Sequence, residues 1–107
     1  MSMHRLHAIQ KTVAVGTTAA DSTAIPFQGW SGGLVVLPAS SSITTITWYV
    51  AITPDDTFVP AKDGIGGAVT TTIAQGQGCL IPAALFAAGA IKAVGNAAGV
   101  IDVSLKS

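Results

Sequence analysis

Residues 43–53 alternate in the way a half-buried strand does. Ile46, Trp48, Val50 and Ile52 fall on one face, with Thr45, Thr47, Tyr49 and Thr53 on the other. A period of two among β-branched and aromatic residues predicts a β-strand. Thr53-Pro54-Asp55-Asp56 closes it as a type I turn, with proline at the second position. A short return strand is expected over residues 57–61, with Phe58 as its inward anchor. The C-terminal segment repeats the pattern, placing Ile101, Val103 and Leu105 opposite Asp102, Ser104 and Lys106. Residues 69–73 alternate Val69, Thr71 and Ile73 against Thr70 and Thr72.

The apolar run from Leu34 to Leu37, bounded by Gly32-Gly33 and Pro38, reads as a buried strand. Residues 9–15 and 90–94 are further strand candidates. Residues 24–27 carry Pro26, which confines that segment to an edge or a strand start. Between these lie Gly16-Thr17-Thr18, Ser40-Ser41-Ser42, Asp63-Gly64-Ile65-Gly66-Gly67, Gln75-Gly76-Gln77-Gly78 and Gly95-Asn96. Each is a turn or loop signal.

Strands recurring about every 8–12 residues predict an all-β fold, an antiparallel β-sandwich or jelly-roll-like barrel of about 7–9 short strands. One short helix at most is expected near Pro82–Ala88, with Pro82 at its first position and Gly89 closing it. Trp48, Phe27, Phe58, Ile46, Val50, Ile101 and Val103 make up the expected core. A chain of 107 residues is read as one sandwich domain over residues 8–107, preceded by an N-terminal arm of residues 1–7.

Composition changes the picture most at the surface. Apolar residues make up 50% of the chain and charged ones 9%, with no glutamate and a formal net charge of +0. Soluble domains carry about 25% charged residues, and a neutral, sparsely charged surface favours association. Open sheet edges must be charged, bulged or covered. With so few charges, covering by neighbouring subunits is the expected solution. Clustered Lys and Arg are missing, so a nucleic-acid partner is not expected. The start of the chain has no apolar h-region, and residues 79–94 are broken by Pro82, Gly89 and Lys92. That stretch falls short of the about 20 apolar residues a spanning helix needs. A soluble protein made in a cytoplasm, with no membrane partner, is the expectation.

The search for chemistry finds little. Asp55 and Asp56 flank a turn, Asp63 precedes a glycine and Asp21 sits among small polar residues, all places where aspartate serves turn hydrogen bonds. Asp102 lies on the polar face of the last strand. His4 and His7 stand three residues apart with no third ligand following. With Met1 removed, His4 would be third in the chain, where it could chelate copper or nickel with the free amine; no metal is expected. Cys79, beside Leu80 and Ile81, reads as a small buried hydrophobe. No G-x-S-x-G elbow, phosphate loop or dinucleotide fingerprint occurs. No catalytic residues and no cofactor are therefore expected, and the protein is read as no enzyme.

Trp30 lies in Gln28-Gly29-Trp30-Ser31-Gly32-Gly33. Three roles suit it: a cap over the open end of the sandwich, an anchor in a protein interface, or a platform for a sugar ring. Met1, Met3, His4, Arg5, Leu6 and His7 form an arm expected to lie on a neighbouring subunit, its methionines suited to adaptable apolar contact.

Three stretches together carry a resemblance. Ala24-Ile25-Pro26-Phe27-Gln28-Gly29-Trp30-Ser31-Gly32-Gly33 leads into Leu34 to Leu37. Trp48-Tyr49-Val50 precedes Pro54-Asp55-Asp56-Thr57-Phe58-Val59-Pro60. Leu80-Ile81-Pro82-Ala83-Ala84-Leu85-Phe86 runs through Ile91-Lys92-Ala93-Val94 to Val100-Ile101-Asp102-Val103-Ser104-Leu105-Lys106. From about Ser22 onward, this order resembles the small β-sandwich virion proteins of tailed bacteriophages. That group includes capsid cement (decoration) proteins and head-fibre components. The resemblance implies a homo-oligomer, with a trimer favoured, bound to the major capsid protein or other virion subunits on the capsid surface. The implied function is mechanical. A second reading is a host-surface or carbohydrate-binding module of a phage fibre or tail, with Trp30 and Tyr49 as stacking residues.

Overall fold

The computed structural model of the chain describes residues 8–27, 32–82, 85 and 88–106. Among these residues the fold is all-β. Strands β1 (Ala8–Val15), β3 (Gly32–Val36), β7 (Gly78–Leu80) and β9 (Gly99–Lys106) form one sheet, in the order β1-β9-β3-β7. Strands β2 (Ile25–Pro26), β8 (Ala90–Gly95), β4 (Thr45–Ala51) and β5 (Val59–Pro60) form the other in that order. The fifth strand, β6 (Thr70–Thr72), pairs with β4 beside β5. Every strand pairing is antiparallel. The two sheets stack as a sandwich. The end of β1 crosses to the second sheet, where Gly16 pairs with Val94 and accepts the Gly95 N–H at 2.9 Å.

Alternation decides which side chains meet between the sheets. Ile101, Val103 and Leu105 of β9 and Val13 and Val15 of β1 point inward, as does Val35 of β3. Ile46 and Trp48 of β4 oppose them, with Ile25 and Phe27 on and after β2 and Ile91 on β8. Burying each such side chain is worth about 1.5–3 kcal/mol. Trp48 is the largest fully buried side chain, and its indole nitrogen is satisfied: Nε1 donates to Thr71 Oγ1 at 2.9 Å.

Several expectations hold in detail. Val69, Thr71 and Ile73 are buried while Thr70 and Thr72 are exposed. Pro26 sits on an edge strand. The turn at residues 53–56 is closed by the Asp56 N–H donating to the Thr53 carbonyl at 3.2 Å.

Others are corrected. Ile52 is 82% exposed, not inward, because β4 ends at Ala51. Beyond it the chain turns where Gly89 comes up against the Ile52 carbonyl. The return strand shortens to Val59–Pro60, and Phe58 is not an inward anchor. It is half-buried on the outer side of the sheet, with Lys92 Nζ 4.6 Å from its ring centroid. Lys92 Nζ also donates to the Ala19 carbonyl at 2.8 Å, so one side chain ties β8 to both the β1–β2 turn and the β4–β5 hairpin. Val50 is half-buried and packs against the core from its rim. The strand expected over residues 90–94 is present as β8, which lies inside its sheet and is buried almost throughout. Gln75-Gly76-Gln77 turns as expected, but Gly78 and Cys79 enter β7, whose Leu80 is 74% exposed. Cys79 is a free, half-buried thiol packed against the core.

In the segment expected to hold a short helix, the Leu85 N–H donates to the Pro82 carbonyl and the Ala88 N–H to the Leu85 carbonyl, each at 3.0 Å. These are single-turn bonds; residues 83, 84, 86 and 87 lie outside the described residues.

Candidate interaction surface

Register arranges the outer face of the four-stranded sheet in rows. Gln10, Ser104, Leu34 and Leu80 lie side by side across β1, β9, β3 and β7. The next row is Thr12, Asp102, Val36 and Gly78. In the row beyond, Ala14 faces Val100. In the first two rows the β1 and β9 positions are polar, whereas the β3 and β7 positions are apolar. Leu34 is 38% exposed, Leu80 74% and Val100 44%.

A groove of about 500 Å³ opens on this face. Leu34 and Val36 line one side of it, with Gln10, Thr12, Asp102 and Ser104 on the other. Lys11 also borders it. The polar side is organised by Thr12 Oγ1, which donates to Asp102 Oδ1 at 2.8 Å. Strand geometry explains that contact. The Ala14 carbonyl accepts the Thr23 N–H at 3.1 Å, so the Ala14 peptide groups point away from β9. Two residues earlier the same orientation recurs at Thr12, which makes Thr12–Asp102 a non-hydrogen-bonded pair. In such pairs the side chains approach most closely.

The second feature is a finger on the opposite sheet. At Trp48, β4 is met from the edge by two segments at once. The Ala61 N–H donates to the Trp48 carbonyl at 2.9 Å, and the Trp48 N–H donates to the Val69 carbonyl at 3.1 Å. The Val69 N–H closes the base on the Ala61 carbonyl at 3.1 Å. Residues 62–68 therefore leave the sheet as a small hairpin, in which Lys62 pairs with Ala68 and the Asp63 N–H donates to the Gly67 carbonyl at 2.8 Å.

Asp63 fixes the tip. Its Oδ1 accepts the Ile65 N–H at 2.9 Å and the Gly67 N–H at 2.8 Å. Gly66 has a φ of 88°, a left-handed conformation that glycine adopts without strain. The hydrogen bond from Ile65, then that from Gly67, hold the Asp63 carboxyl below the usual aspartate range, with smaller help from Gly66 and the nearby Lys62. At the apex Ile65 is 94% exposed.

Of the other turn aspartates, Asp21 makes the local bond expected of it. Thr18 Oγ1 donates to Asp21 Oδ2 at 3.2 Å, and Asp55 and Asp56 are exposed near the β4–β5 turn. Ser22 is buried inside the β1–β2 turn, accepting the Gly16 N–H at 3.0 Å and donating to the Thr18 carbonyl at 2.9 Å. Among the described residues, no three His, Cys or Asp side chains come together as metal ligands would, and no helix is long and apolar enough to cross a membrane.

The sequence-derived interface residues Met1, Met3, His4, Arg5, Leu6, His7 and Trp30 lie outside the described residues. Tyr49 is half-buried on β4, flanked by Pro60 and Lys92, on the sheet that does not carry the groove. Sequence reasoning missed both the groove and the finger. For the finger, a signal was available: a lone large apolar residue, Ile65, between glycines in an otherwise polar loop.

The fold is thus a nine-stranded antiparallel β-sandwich among the described residues, with an apolar-walled groove on one sheet and a hydrogen-bonded finger on the other. Compared with known proteins, the chain matches no family model, no curated protein and no solved structure.

Proposed function

We propose that this protein is a non-enzymatic structural subunit of a virion, a cement or decoration protein that binds and stabilises the assembled phage shell. The observation that carries the reading is the exposure of Leu34, Ile52, Val59, Ile65, Leu80 and Val100 on a chain with only 9% charged residues and a net charge of +0. Isolated surface hydrophobes are ordinary, but apolar groups gathered on one face mark contact sites. Leu34 and Leu80 are cross-strand neighbours, with Val36 two residues along the same strand. A subunit that binds only the closed shell stabilises it by mass action, and weak contacts repeated over a lattice gain strength from multivalency.

The 107-residue chain should co-sediment with expanded shells and raise their melting temperature. Deleting residues 1–7 should weaken that binding without unfolding the sandwich. A protein that ignores shells but captures cell-surface glycans, with affinity lost in Trp30→Ala, would replace this reading with that of a carbohydrate-binding fibre or tail module.

A further inference from the structure

We propose that the Ile65 finger of one molecule seats in the groove on the four-stranded sheet of a second copy of this chain, making a head-to-tail contact. The finger is built before it binds anything. Its two N–H bonds to Asp63 and the paired stem below them hold Ile65 outward at 94% exposure. Little conformational entropy is then lost on docking, which is how preorganised elements gain affinity. Gly64 and Gly66 flank the isoleucine and have open space around them, so the tip can press its backbone against a flat partner.

The groove offers the matching shape. Its apolar wall, Leu34 and Val36, receives the isoleucine, and Gln10 and Ser104 present hydrogen-bonding groups beside it to the finger backbone. Charge does not oppose the contact: the finger carries Lys62 and Asp63, the groove carries Asp102 and Lys11, and neither surface has a net charge to repel the other.

The contact cannot be made within one molecule. The finger leaves the edge of the five-stranded sheet at Trp48, while the groove opens on the far side of the other sheet. Stacked sheets lie about 10 Å apart, and three residues per arm reach only about that distance. The two surfaces are also different from each other. Their association is therefore heterologous, closing as a ring or running on as a chain.

The test uses the free protein without shells, so its failure and a failure of shell binding are separate results. In sedimentation velocity the wild type should form oligomers. Ile65→Ser should remove the finger's anchor and weaken association by at least about tenfold, and Leu34→Asp should do the same from the groove side. Neither variant should assemble alone. Mixed, they should form a 1:1 dimer that grows no further, because one keeps an intact groove and the other an intact finger. Gln10→Tyr, an exposed strand position that would fill the groove, replaces Leu34→Asp if the latter loses its native circular dichroism. A wild type that stays monomeric, variants that assemble as the wild type does, or a mixture of folded variants that stays monomeric would each overturn the proposal.

Discussion

Trp48 and Thr71 form a buried pair: the indole Nε1 donates to the threonine Oγ1 at 2.9 Å across the β4–β6 pairing. The largest fully buried side chain of the core thus depends on a hydroxyl from a three-residue edge strand. Thr71→Val keeps the shape and removes the acceptor, leaving a buried N–H unpaired. We expect a loss of about 1–3 kcal/mol in urea unfolding at 25 °C. Thr71→Ser, which restores the acceptor, should recover most of it. A Thr71→Val variant as stable as the wild type would show that the bond to the indole contributes nothing.

Asp63 makes the finger pH-dependent. Its carboxyl titrates below the usual aspartate range because the charged form accepts the Ile65 and Gly67 N–H groups. A depressed folded value means that the tip is held fully above the ordinary aspartate pKa and released as pH falls through the lower, folded one. The protection of the Ile65 and Gly67 amides, measured against their intrinsic exchange rates, should therefore fall at acid pH while core amides such as those of β9 keep theirs. Asp63→Ala should show low protection at these amides at every pH. If these amides keep their protection in that variant, the stem alone sets the tip.

Gly89 has no room for a side chain. A Cβ there would run into the Ile52 carbonyl group, which is backbone and cannot rotate away. The same residue donates its N–H to the Ala51 carbonyl and accepts from the Phe27 N–H, both at 3.0 Å, so it cannot withdraw without breaking the bonds that tie β2 and β4 to the start of β8. Gly89→Ala should cost about 1–3 kcal/mol or more, read as a lower melting temperature.

Lys92 acts as a strut. Lys92→Met keeps the aliphatic stem but loses both the bond to the Ala19 carbonyl and the position over Phe58. A loss of about 1 kcal/mol is expected. A double-mutant cycle with Phe58→Leu isolates the ring contact; a coupling of zero would leave the Ala19 bond as the whole effect.

Most of the strand pattern was legible in the chain. Ile101, Val103 and Leu105 alternate without interruption, as do Val69, Thr71 and Ile73, and a strand with one buried face has no other way to satisfy that pattern. Phe58 and Ile52 misled because both stand at strand ends. There the backbone turns, and period-two counting no longer says which side is inward. Residues 90–94 were hard to read for the opposite reason. A central strand buried on both faces shows no alternation, and Ala90, Ile91, Ala93 and Val94 look like any small apolar run.

The candidate surface was less legible than the fold. Gln10, Leu34 and Ser104 are far apart in the chain, and only the register of β1, β9 and β3 sets them in one row. Ile65 was visible as an odd apolar residue in a glycine-rich loop. That it stands on a projecting stem follows from two segments meeting β4 at Trp48, a long-range pairing that no local signal encodes.

What the sequence determined by itself was local: which residues alternate, where the chain turns, and how little charge is available to the surface. Those properties reside in single side chains and their immediate neighbours. Tertiary structure decided which alternating faces met, which strand became central, and which apolar groups were left outside. These depend on pairing between distant segments, where hydrogen-bond register and close approach of backbones select one arrangement from many compatible with the same pattern.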